Sequence, residues 1–355
     1  RGAVDDKSGS FASLLALAAI NDLLAEGALE LPRRVRVIFG GDEESGMTCA
    51  QHYAATQPAT VFAVSPDGEW PVVFAEKGQA LVDLAGPCPE AGELYAAEIT
   101  CGTRRNVVPA LAEAKLLGSA AGLAGGAEAL AGWWDRNVTF ERSAEGIELR
   151  ATGKAAHGST PFMGDNAGIR LLRVLAGLPV AGRDRWSELL ALCDPAGEGL
   201  GLAGADPVSG PTTSNLGTIE VGSGRVSLGL DVRFRSDRDL AWVREQVAAA
   251  APKAGLSVVE VDGIPPMHEP VDGTLVQTVM AVYRAELNGE NPPIARGART
   301  YASYIPHCVC VGRDDPSWSE GGVHGADEHY ALPALRTAGR ALAHLLIRLA
   351  MAPAD

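Results

Sequence analysis

The sequence lacks a cysteine framework, an excess of positive charge and long apolar runs. Its six cysteines include no CxxC pair and no regular spacing, which is typical of small core residues in a reducing compartment. The net charge of -14 argues against nucleic acid or an anionic membrane as a partner. No apolar run approaches the roughly 18 residues of a membrane span, so we expect no such span. We therefore expect a cytoplasmic protein, and no targeting signal is visible.

A chain of 355 residues is long for one hydrophobic core, so we expect two domains. Helix and strand patterns alternate at both ends of the chain, whereas the middle has short alternating strands among helices, as in half-exposed antiparallel sheets. The sequence therefore predicts an α/β fold. Residues 1–78 and 265–355 would form one discontinuous doubly wound domain, and residues 79–264 an inserted α+β domain.

Hydrophobic periodicity and glycine or proline boundaries predict the individual elements. In the discontinuous domain we expect helices at residues 11–23, 48–55, 275–287 and 333–349, and strands at 35–39, 60–64 and 307–312. In the insertion we expect strands at residues 80–84, 147–151 and 226–234, and helices at 167–178 and 240–251. The pattern C-V-C-V within 307–312 could indicate a metal site, but strand alternation explains it better.

The strongest chemical signal is V-R-V-I-F-G-G-D-E-E-S-G at residues 35–46. An apolar run ends in two glycines and leads directly to Asp42, Glu43 and Glu44. Three adjacent carboxylates repel one another, so either solvent on an ordinary surface loop or a bound cation must compensate them. In open α/β sheets, functional groups lie beyond the carboxyl ends of the strands. Taken alone, this segment nevertheless fits an ordinary acidic loop better, and it is the rest of the chain that favours a bound cation.

Other acidic residues follow the same rule. Asp67 comes after a predicted strand, and Asp5 lies in the charged loop R-G-A-V-D-D-K-S-G, which a chain normally reaches from a strand. Right-handed crossovers bring strand ends to one edge of a sheet, so Asp5, Glu43, Glu44 and Asp67 can converge.

Two histidines have settings that suggest chemistry. His324 opens H-G-A-D-E after two glycines and can be a metal ligand or an ordinary loop residue; His157, in G-K-A-A-H-G-S-T-P, can be functional or a solvated turn residue. Carboxylates with imidazole, and no cysteine cluster, fit zinc, manganese or cobalt. Two adjacent glutamates allow one to bind metal while the other takes a proton from water.

Five motifs together resemble a known family. They are D-D-K-S-G, G-D-E-E-S-G, S-P-D-G-E-W-P followed by E-K-G, G-K-A-A-H-G-S-T-P and H-G-A-D-E. They occur in the order found in the dinuclear-zinc exopeptidases, the family of carboxypeptidase G, the aminoacylases and carnosinase. T-T-S-N-L-G-T-I-E and the length of the insertion are most similar to the bacterial dipeptidase V branch. The resemblance covers nearly the whole chain and implies a zinc-exopeptidase catalytic domain with an inserted lid.

The resemblance implies roles for the acidic residues and for one histidine. Asp5 would bridge two metal ions. Asp67 would bind the first ion, and Glu44 and His324 would bind the second. Glu43 would be the general base that activates the attacking water.

The resemblance also implies residues that contact the substrate. His157, in the lid, would polarise the scissile carbonyl, and Asn106 and Arg233 would help to hold the substrate. Thr300 lies in a segment similar to the family's glycine-rich loop near the substrate carboxylate. Arg299 replaces a glycine of that loop, which can change how the carboxylate is recognised.

A second departure concerns the first metal ion. The family's first motif, a histidine two residues before an aspartate, has no counterpart after Arg1. The absent histidine is a ligand of the first ion, so that half of the site would be deficient. We therefore expect an upstream segment that contains this motif.

These features predict a metallopeptidase that hydrolyses a dipeptide with water activated by two metal ions, zinc or manganese. An N-acyl-amino-acid deacylase with the same centre is an alternative, as is a homologue that binds metal without activity. Glu43 favours an enzyme, because a purely structural metal site needs no unbound base. We expect a small peptide as the partner, no nucleic acid and no membrane. The long insertion could present His157 to its own chain, so we also expect a monomer.

Overall fold

The computed structural model describes residues 2–43, 46–89, 91–297, 299–314 and 327–353. The chain divides into two units. Unit 1 consists of Arg1–Lys77 and Met267–Asp355, and unit 2 consists of Gly78–Pro266.

Elements are numbered along the chain. The helices are α1 Lys7–Ala25, α2 Thr48–Thr56, α3 Ala120–Ala131, α4 Ala167–Gly177, α5 Arg183–Leu192, α6 Leu240–Ala250, α7 Thr274–Leu287 and α8 Leu332–Met351. The strands are β1 Ala63–Glu69, β2 Val73–Glu76, β3 Gly78–Pro87, β4 Leu94–Cys101, β5 Leu111–Gly118, β6 Val138–Arg142, β7 Ile147–Thr152, β8 Ala205–Asp206, β9 Gly210–Pro211, β10 Thr213–Gly222, β11 Arg225–Phe234, β12 Ser257–Ile264, β13 Met267–His268, β14 Ile294–Arg296 and β15 Cys308–Asp314.

Unit 1 contains a mixed sheet with the order β1-β15-β2-β13, and β14 also pairs with β2. β1 runs parallel to β15, whereas β2 runs antiparallel to β15 and β13. Helices α1 and α7 contact β15, and α8 packs against both helices. Helices thus cover a sheet with parallel strands, which confirms the predicted α/β class.

The C-V-C-V pattern belongs to β15, as predicted. Cys308 and Cys310 are buried free thiols, and the valines that alternate with them are also buried. Burial raises the pKa of both thiols, so they stay protonated. A strand covered on both faces explains the continuous apolar run.

The strand predicted at residues 35–39 is wrong. These residues alternate between half-buried and exposed up to Ile38, as in a strand, but no strand is assigned to them and Phe39 is 57% exposed. A strand exists through backbone hydrogen bonds to a neighbour. In the described part of unit 1, β1 pairs only with β15. Sequence pattern indicates the tendency to form a strand but not the presence of a partner.

The strand predicted at residues 60–64 is displaced toward the carboxyl end. β1 begins at Ala63 and continues to Glu69, so Asp67 lies within the strand and not after it. The register shifts between Ser65 and Gly68, as at a β-bulge. Proline is tolerated at such irregularities, which explains how Pro66 fits inside a strand.

Helix α1 also differs from expectation. By length and composition alone it is apolar enough to cross a membrane, contrary to the expectation that no apolar run is that long. Buried core helices and signal sequences pass the same test, and 28% of the apolar window of α1 is buried. Its residues Ala12, Ala16 and Ile20 are buried, and the helix packs against α8.

Gly339 of α8 lies at this contact. A Cβ atom there would be 3.1 Å from Leu15 Cβ and 3.6 Å from the Ala12 carbonyl oxygen. We expect Gly339→Leu to force the helices apart and to lower the free energy of unfolding by about 1–3 kcal/mol. Urea unfolding would measure this loss. Gly125→Ala in α3, where a Cβ meets nothing within 4 Å, is the control and should be neutral or stabilising. Equal stability of Gly339→Leu and the unmodified protein would contradict this packing.

Unit 2 contains an eight-stranded antiparallel sheet with the order β12-β3-β11-β10-β4-β5-β7-β6. Along β7, buried residues alternate strictly with exposed ones. The buried residues join a core with helices α4 and α5, which includes Leu171, Leu175 and Trp186. Across β5 and β7, the other face has charged pairs such as Lys115–Glu148 and Arg150–Glu113. The prediction of half-exposed antiparallel strands in this part of the chain is therefore confirmed.

Candidate active site

Asp5 lies in a short turn before α1 and is only 6% exposed. The Gly2 N–H donates to the Asp5 carbonyl, which closes the turn. The Glu328 Oε1 atom accepts hydrogen bonds from the backbone N–H groups of Val4 (2.6 Å) and Asp5 (2.7 Å). Glu328 is the last residue of H-G-A-D-E, so this motif anchors the Asp5 turn. Sequence reasoning singled out the motif but assigned no role to Glu328.

Removal of the Glu328 side chain should destabilise this turn. We expect Glu328→Ala to lower the free energy of unfolding by about 1–3 kcal/mol, because two N–H groups in a mostly buried turn lose their acceptor. Glu328→Gln retains an acceptor oxygen at the same position and should cost less. Urea unfolding of the two variants checks the difference. If both lose the same stability, the hydrogen bonds to Val4 and Asp5 are not the reason.

Asp42 and Glu43, two of the three adjacent acids, do not share the same surroundings. Asp42 accepts hydrogen bonds from the backbone N–H groups of Thr48 (2.8 Å) and Cys49 (3.1 Å), the first two residues of α2, and from the Thr48 hydroxyl. Hydrogen bonds from Cys49 and Thr48 hold the pKa of Asp42 well below its usual range. Asp42 therefore satisfies the orphan donors of a helix N-terminus. Glu43 is half-buried, and Glu44 lies outside the described residues.

The first turn of α1 approaches β1 closely. A Cβ atom on Gly9 would collide with the Pro66 carbonyl oxygen and with the Asp6 carboxylate. Only glycine permits this approach, which places the segment before α1 next to the irregularity of β1. Bulges of this kind redirect side chains near functional sites.

Unit 1 contains a cavity of about 1000 Å³ whose lining includes Asp5, Asp6, Glu43 and Asp67. The structure thus brings three of the predicted site residues, Asp5, Glu43 and Asp67, to the wall of one cavity. Among the described residues, no group of three or more His, Cys, Asp or Glu side chains lies close enough to hold a metal ion. His324, like Glu44, lies outside the described residues. The predicted ligand set therefore stays a prediction.

Thr300, predicted to lie near the substrate carboxylate, is buried in unit 1. Its hydroxyl donates to Glu76 Oε1 (3.0 Å), accepts from the Ala302 N–H (3.2 Å) and lies 2.7 Å from Cys310 Sγ. The contact of Thr300 with a substrate stays a prediction.

Tyr301, the next residue, lines the same cavity as Glu43 and was missed. Its hydroxyl lies 3.2 Å from Cys49 Sγ, and its ring occupies the space that a side chain on Gly40 would need. Burial, the hydrogen bond with Cys49 and the charges of Glu43 and Asp42 raise the pKa of Tyr301. The hydroxyl therefore stays protonated and can donate a hydrogen bond. Its position directly after Thr300 was the only signal in the sequence.

In unit 2, the structure brings Asn106 and His157 together. Val107 and His157 form a β-bridge, and the Gly158 N–H donates to the Asn106 carbonyl at 2.8 Å. Asn215, in T-T-S-N-L-G-T-I-E, secures this segment, since its amide donates to the Arg105 (2.8 Å) and Val107 (3.0 Å) carbonyls.

The hydrogen bonds of His157 indicate its tautomer. The backbone N–H of Ser159 donates to His157 Nδ1 at 3.2 Å, and the Ser159 hydroxyl lies 2.7 Å from the same atom. A backbone N–H can only donate, so Nδ1 is the acceptor and the proton of the neutral ring is on Nε2. His157 can thus present a donor to a carbonyl oxygen.

Arg233 is 2% exposed, on strand β11. Its Nε and terminal nitrogen donate to both carboxylate oxygens of Asp231, at 3.0 and 3.1 Å. Gln79 donates to the same carboxylate at 3.1 Å. The neighbouring Thr213, paired with Arg233 across the sheet, donates to the Ser159 carbonyl near His157. The predicted residues Asn106, His157 and Arg233 therefore lie on adjoining segments of unit 2.

Comparison with known proteins agrees with the family resemblance of the sequence motifs. The model of Peptidase family M20/M25/M40 matches residues 1–348. A Bacillus subtilis (strain 168) protein named "Putative dipeptidase YtjP" is 29% identical over 369 residues, which cover 99% of this chain and 76% of that protein.

Two solved structures share the fold. A tripeptidase from Staphylococcus aureus has a TM-score of 0.53 at 17% identity, with 98% of this chain and 72% of that chain covered. An M20 family metallo-carboxypeptidase from Sulfolobus solfataricus has a TM-score of 0.50 at 15% identity, with 97% and 76% covered. Since the family model spans nearly all of the sequence, the chain belongs to the peptidase family M20/M25/M40 and is a hydrolase of the metallopeptidase class.

Proposed function

We propose that the protein is a dipeptidase that uses two divalent metal ions, and that zinc is the preferred metal. Unit 1 would be its catalytic domain and unit 2 its lid. The observation that supports this most directly is the shared cavity wall of Asp5, Glu43 and Asp67. The printed name of the Bacillus subtilis relative supports the substrate class.

Asp5, Asp67, Glu44 and His324 would hold the metal ions. The chemistry of this donor set fits divalent zinc, manganese or cobalt, because it consists of carboxylates and one imidazole. The buried Asp5 side chain, on a turn anchored by Glu328, provides a preorganised ligand position. Bound divalent ions would polarise the scissile carbonyl and lower the pKa of water at the site.

Glu43 would act as the general base. Its carboxylate would take a proton from the attacking water and then donate that proton to the nitrogen of the leaving amine. Asp42 is unsuited to this task, because its oxygens are hydrogen-bonded to the start of α2. The two adjacent acids thus have separate functions in the proposal.

Unit 2 would supply the substrate contacts. His157, with its proton on Nε2, would donate to the carbonyl oxygen of the scissile bond and stabilise the developing negative charge. Asn106 and Arg233 would hold the substrate, and in unit 1 the Thr300 segment would lie near its carboxylate.

A substrate panel tests this function. The protein loaded with zinc or manganese should cleave dipeptides with a free amine faster than N-acetyl amino acids and tripeptides. Preference for N-acetyl amino acids would establish a deacylase instead. Metal binding without turnover of any of the three classes would contradict an active peptidase.

We also propose that the enzyme is a cytoplasmic monomer whose partner is a small peptide, with no nucleic acid or membrane involved. The six free thiols support a reducing compartment. Sedimentation should give one chain per particle. Restored activity on mixing His157→Ala with Glu43→Gln chains would instead show that two chains share each site.

A further inference from the structure

Glu76 is a buried acid that the proposed mechanism does not use. It begins the motif E-K-G, ends strand β2 and is 1% exposed. A buried carboxylate is costly unless hydrogen bonds compensate it. Its surroundings therefore need an explanation beyond packing.

Four donors surround this carboxylate. Oε1 accepts from the Thr300 hydroxyl (3.0 Å) and from Cys310 Sγ (3.2 Å), and Oε2 accepts from the Thr300 N–H (3.1 Å) and the Ser303 hydroxyl (3.0 Å). These bonds use the lone pairs of both oxygens. Burial raises the pKa of Glu76, and the four hydrogen bonds act in the opposite direction.

Three of the four hydrogen bonds reach one short segment. Thr300 directly precedes the 3-10 turn Tyr301–Ser303, and its hydroxyl accepts a hydrogen bond from the Ala302 N–H; Ser303 is the last residue of the turn. The fourth donor, Cys310, belongs to β15. The carboxylate therefore joins the turn to the two central strands of the unit 1 sheet.

The turn presents Tyr301 to the cavity that Glu43 also lines. The Tyr301 ring lies against Gly40, and its hydroxyl lies 3.2 Å from Cys49. Gly40 opens the segment Gly40–Glu43, and Cys49 is bonded to Asp42 of that segment. Displacement of the turn would therefore displace Tyr301 relative to Glu43.

We infer that Glu76 is a positioning residue: its buried carboxylate fixes the turn at residues 300–303 and thereby places Tyr301 beside the Glu43 segment. This inference rests on the proposed function in so far as Glu43 is the base. Glu76 contacts no reacting atom and acts through Thr300, Ser303 and Tyr301.

Hydrogen exchange tests the structural half of the inference. Glu76→Gln retains the size of the side chain but places an amide N–H₂ against donors. Exchange of a peptide that covers residues 299–304 should become about tenfold faster. Glu286→Gln, at an acid that bonds His344 and Arg340 elsewhere in unit 1, is the control and should leave this peptide unchanged. Unchanged exchange in Glu76→Gln would overturn the inference.

A double-mutant cycle tests the catalytic half. Glu76→Gln should reduce kcat/KM for a dipeptide by about 10- to 100-fold at unchanged metal content, since small misplacements in an active site have effects of this size. In a Tyr301→Ala background the same substitution should cost much less. Additive effects, or full activity of Tyr301→Ala, would overturn the inference.

Two further outcomes are distinguishable. If Glu76→Gln does not fold, Ser303→Ala replaces it, because it removes one donor only; exchange of residues 299–304 must then accelerate, and unchanged exchange would overturn the inference. If the unmodified metal-loaded protein cleaves no dipeptide, the proposed function fails, while the exchange experiment still decides whether Glu76 fixes the turn.

Discussion

Glu43→Gln is expected to reduce turnover of a dipeptide by about 100- to 10,000-fold while metal content and fold stay unchanged. The substitution removes a half-buried carboxylate on the cavity wall but no ligand in the proposed set. Glutamine has nearly the same size and cannot accept the proton of the attacking water. Steady-state kinetics with elemental analysis of the same sample would measure both quantities.

Two neighbouring variants serve as controls. Asp42→Asn should retain turnover and lower stability, because Asp42 is bonded to the start of α2. Glu44→Gln should weaken the binding of one metal ion. If Glu43→Gln and Glu44→Gln lost metal equally, the division between base and ligand would be wrong.

Asp5→Asn should have the second large effect. We expect loss of metal and a fall in kcat/KM of at least about 1000-fold, because a charged member of the proposed ligand set is replaced by a neutral one. Asparagine keeps the backbone N–H that Glu328 holds, so the fold should remain. Metal per chain by elemental analysis, and circular dichroism for the fold, would test this.

Asp6→Asn is the matched control for Asp5→Asn. It changes the adjacent carboxylate, which lines the same cavity but is not in the proposed ligand set. It should retain more metal than Asp5→Asn. An Asp5→Asn protein that binds as much metal as the unmodified chain would remove Asp5 from the site.

Sequence alone predicted most of the helices and much of unit 2. Helices α1, α4, α6, α7 and α8 lie close to the predicted bounds, because apolar residues at helical spacing record which face is buried. Alternation along β7 and β11 predicted strands of unit 2 in the same way. The ordered motifs predicted the family, which the match over residues 1–348 confirms.

Tertiary structure decided the hydrogen-bond partners of chemically similar residues. Asp42 and Glu43 look equivalent in sequence, yet the structure shows Asp42 accepting hydrogen bonds from the first two backbone N–H groups of α2. Thr300 has the sequence context of a substrate contact, yet its hydroxyl bonds the buried Glu76. Glu76 lies 224 residues before Thr300 in the chain, so no local sequence pattern indicates this bond. The two N–H donors to Asp42 lie only six and seven residues after it, but they become its partners only when the loop folds back on the start of α2.

Backbone hydrogen-bond partners also determine where strands form and which segments of unit 2 lie side by side. Residues 35–39 have strand composition but no strand is assigned to them, because a strand needs a neighbour to bond its backbone. Conversely, Asn106 and His157 are distant in sequence and adjacent in unit 2, since the Val107–His157 bridge and Asn215 hold their segments together. The sequence by itself determined the residue types and the amphipathic faces; the long-range backbone pairing that places them was decided only by the tertiary structure.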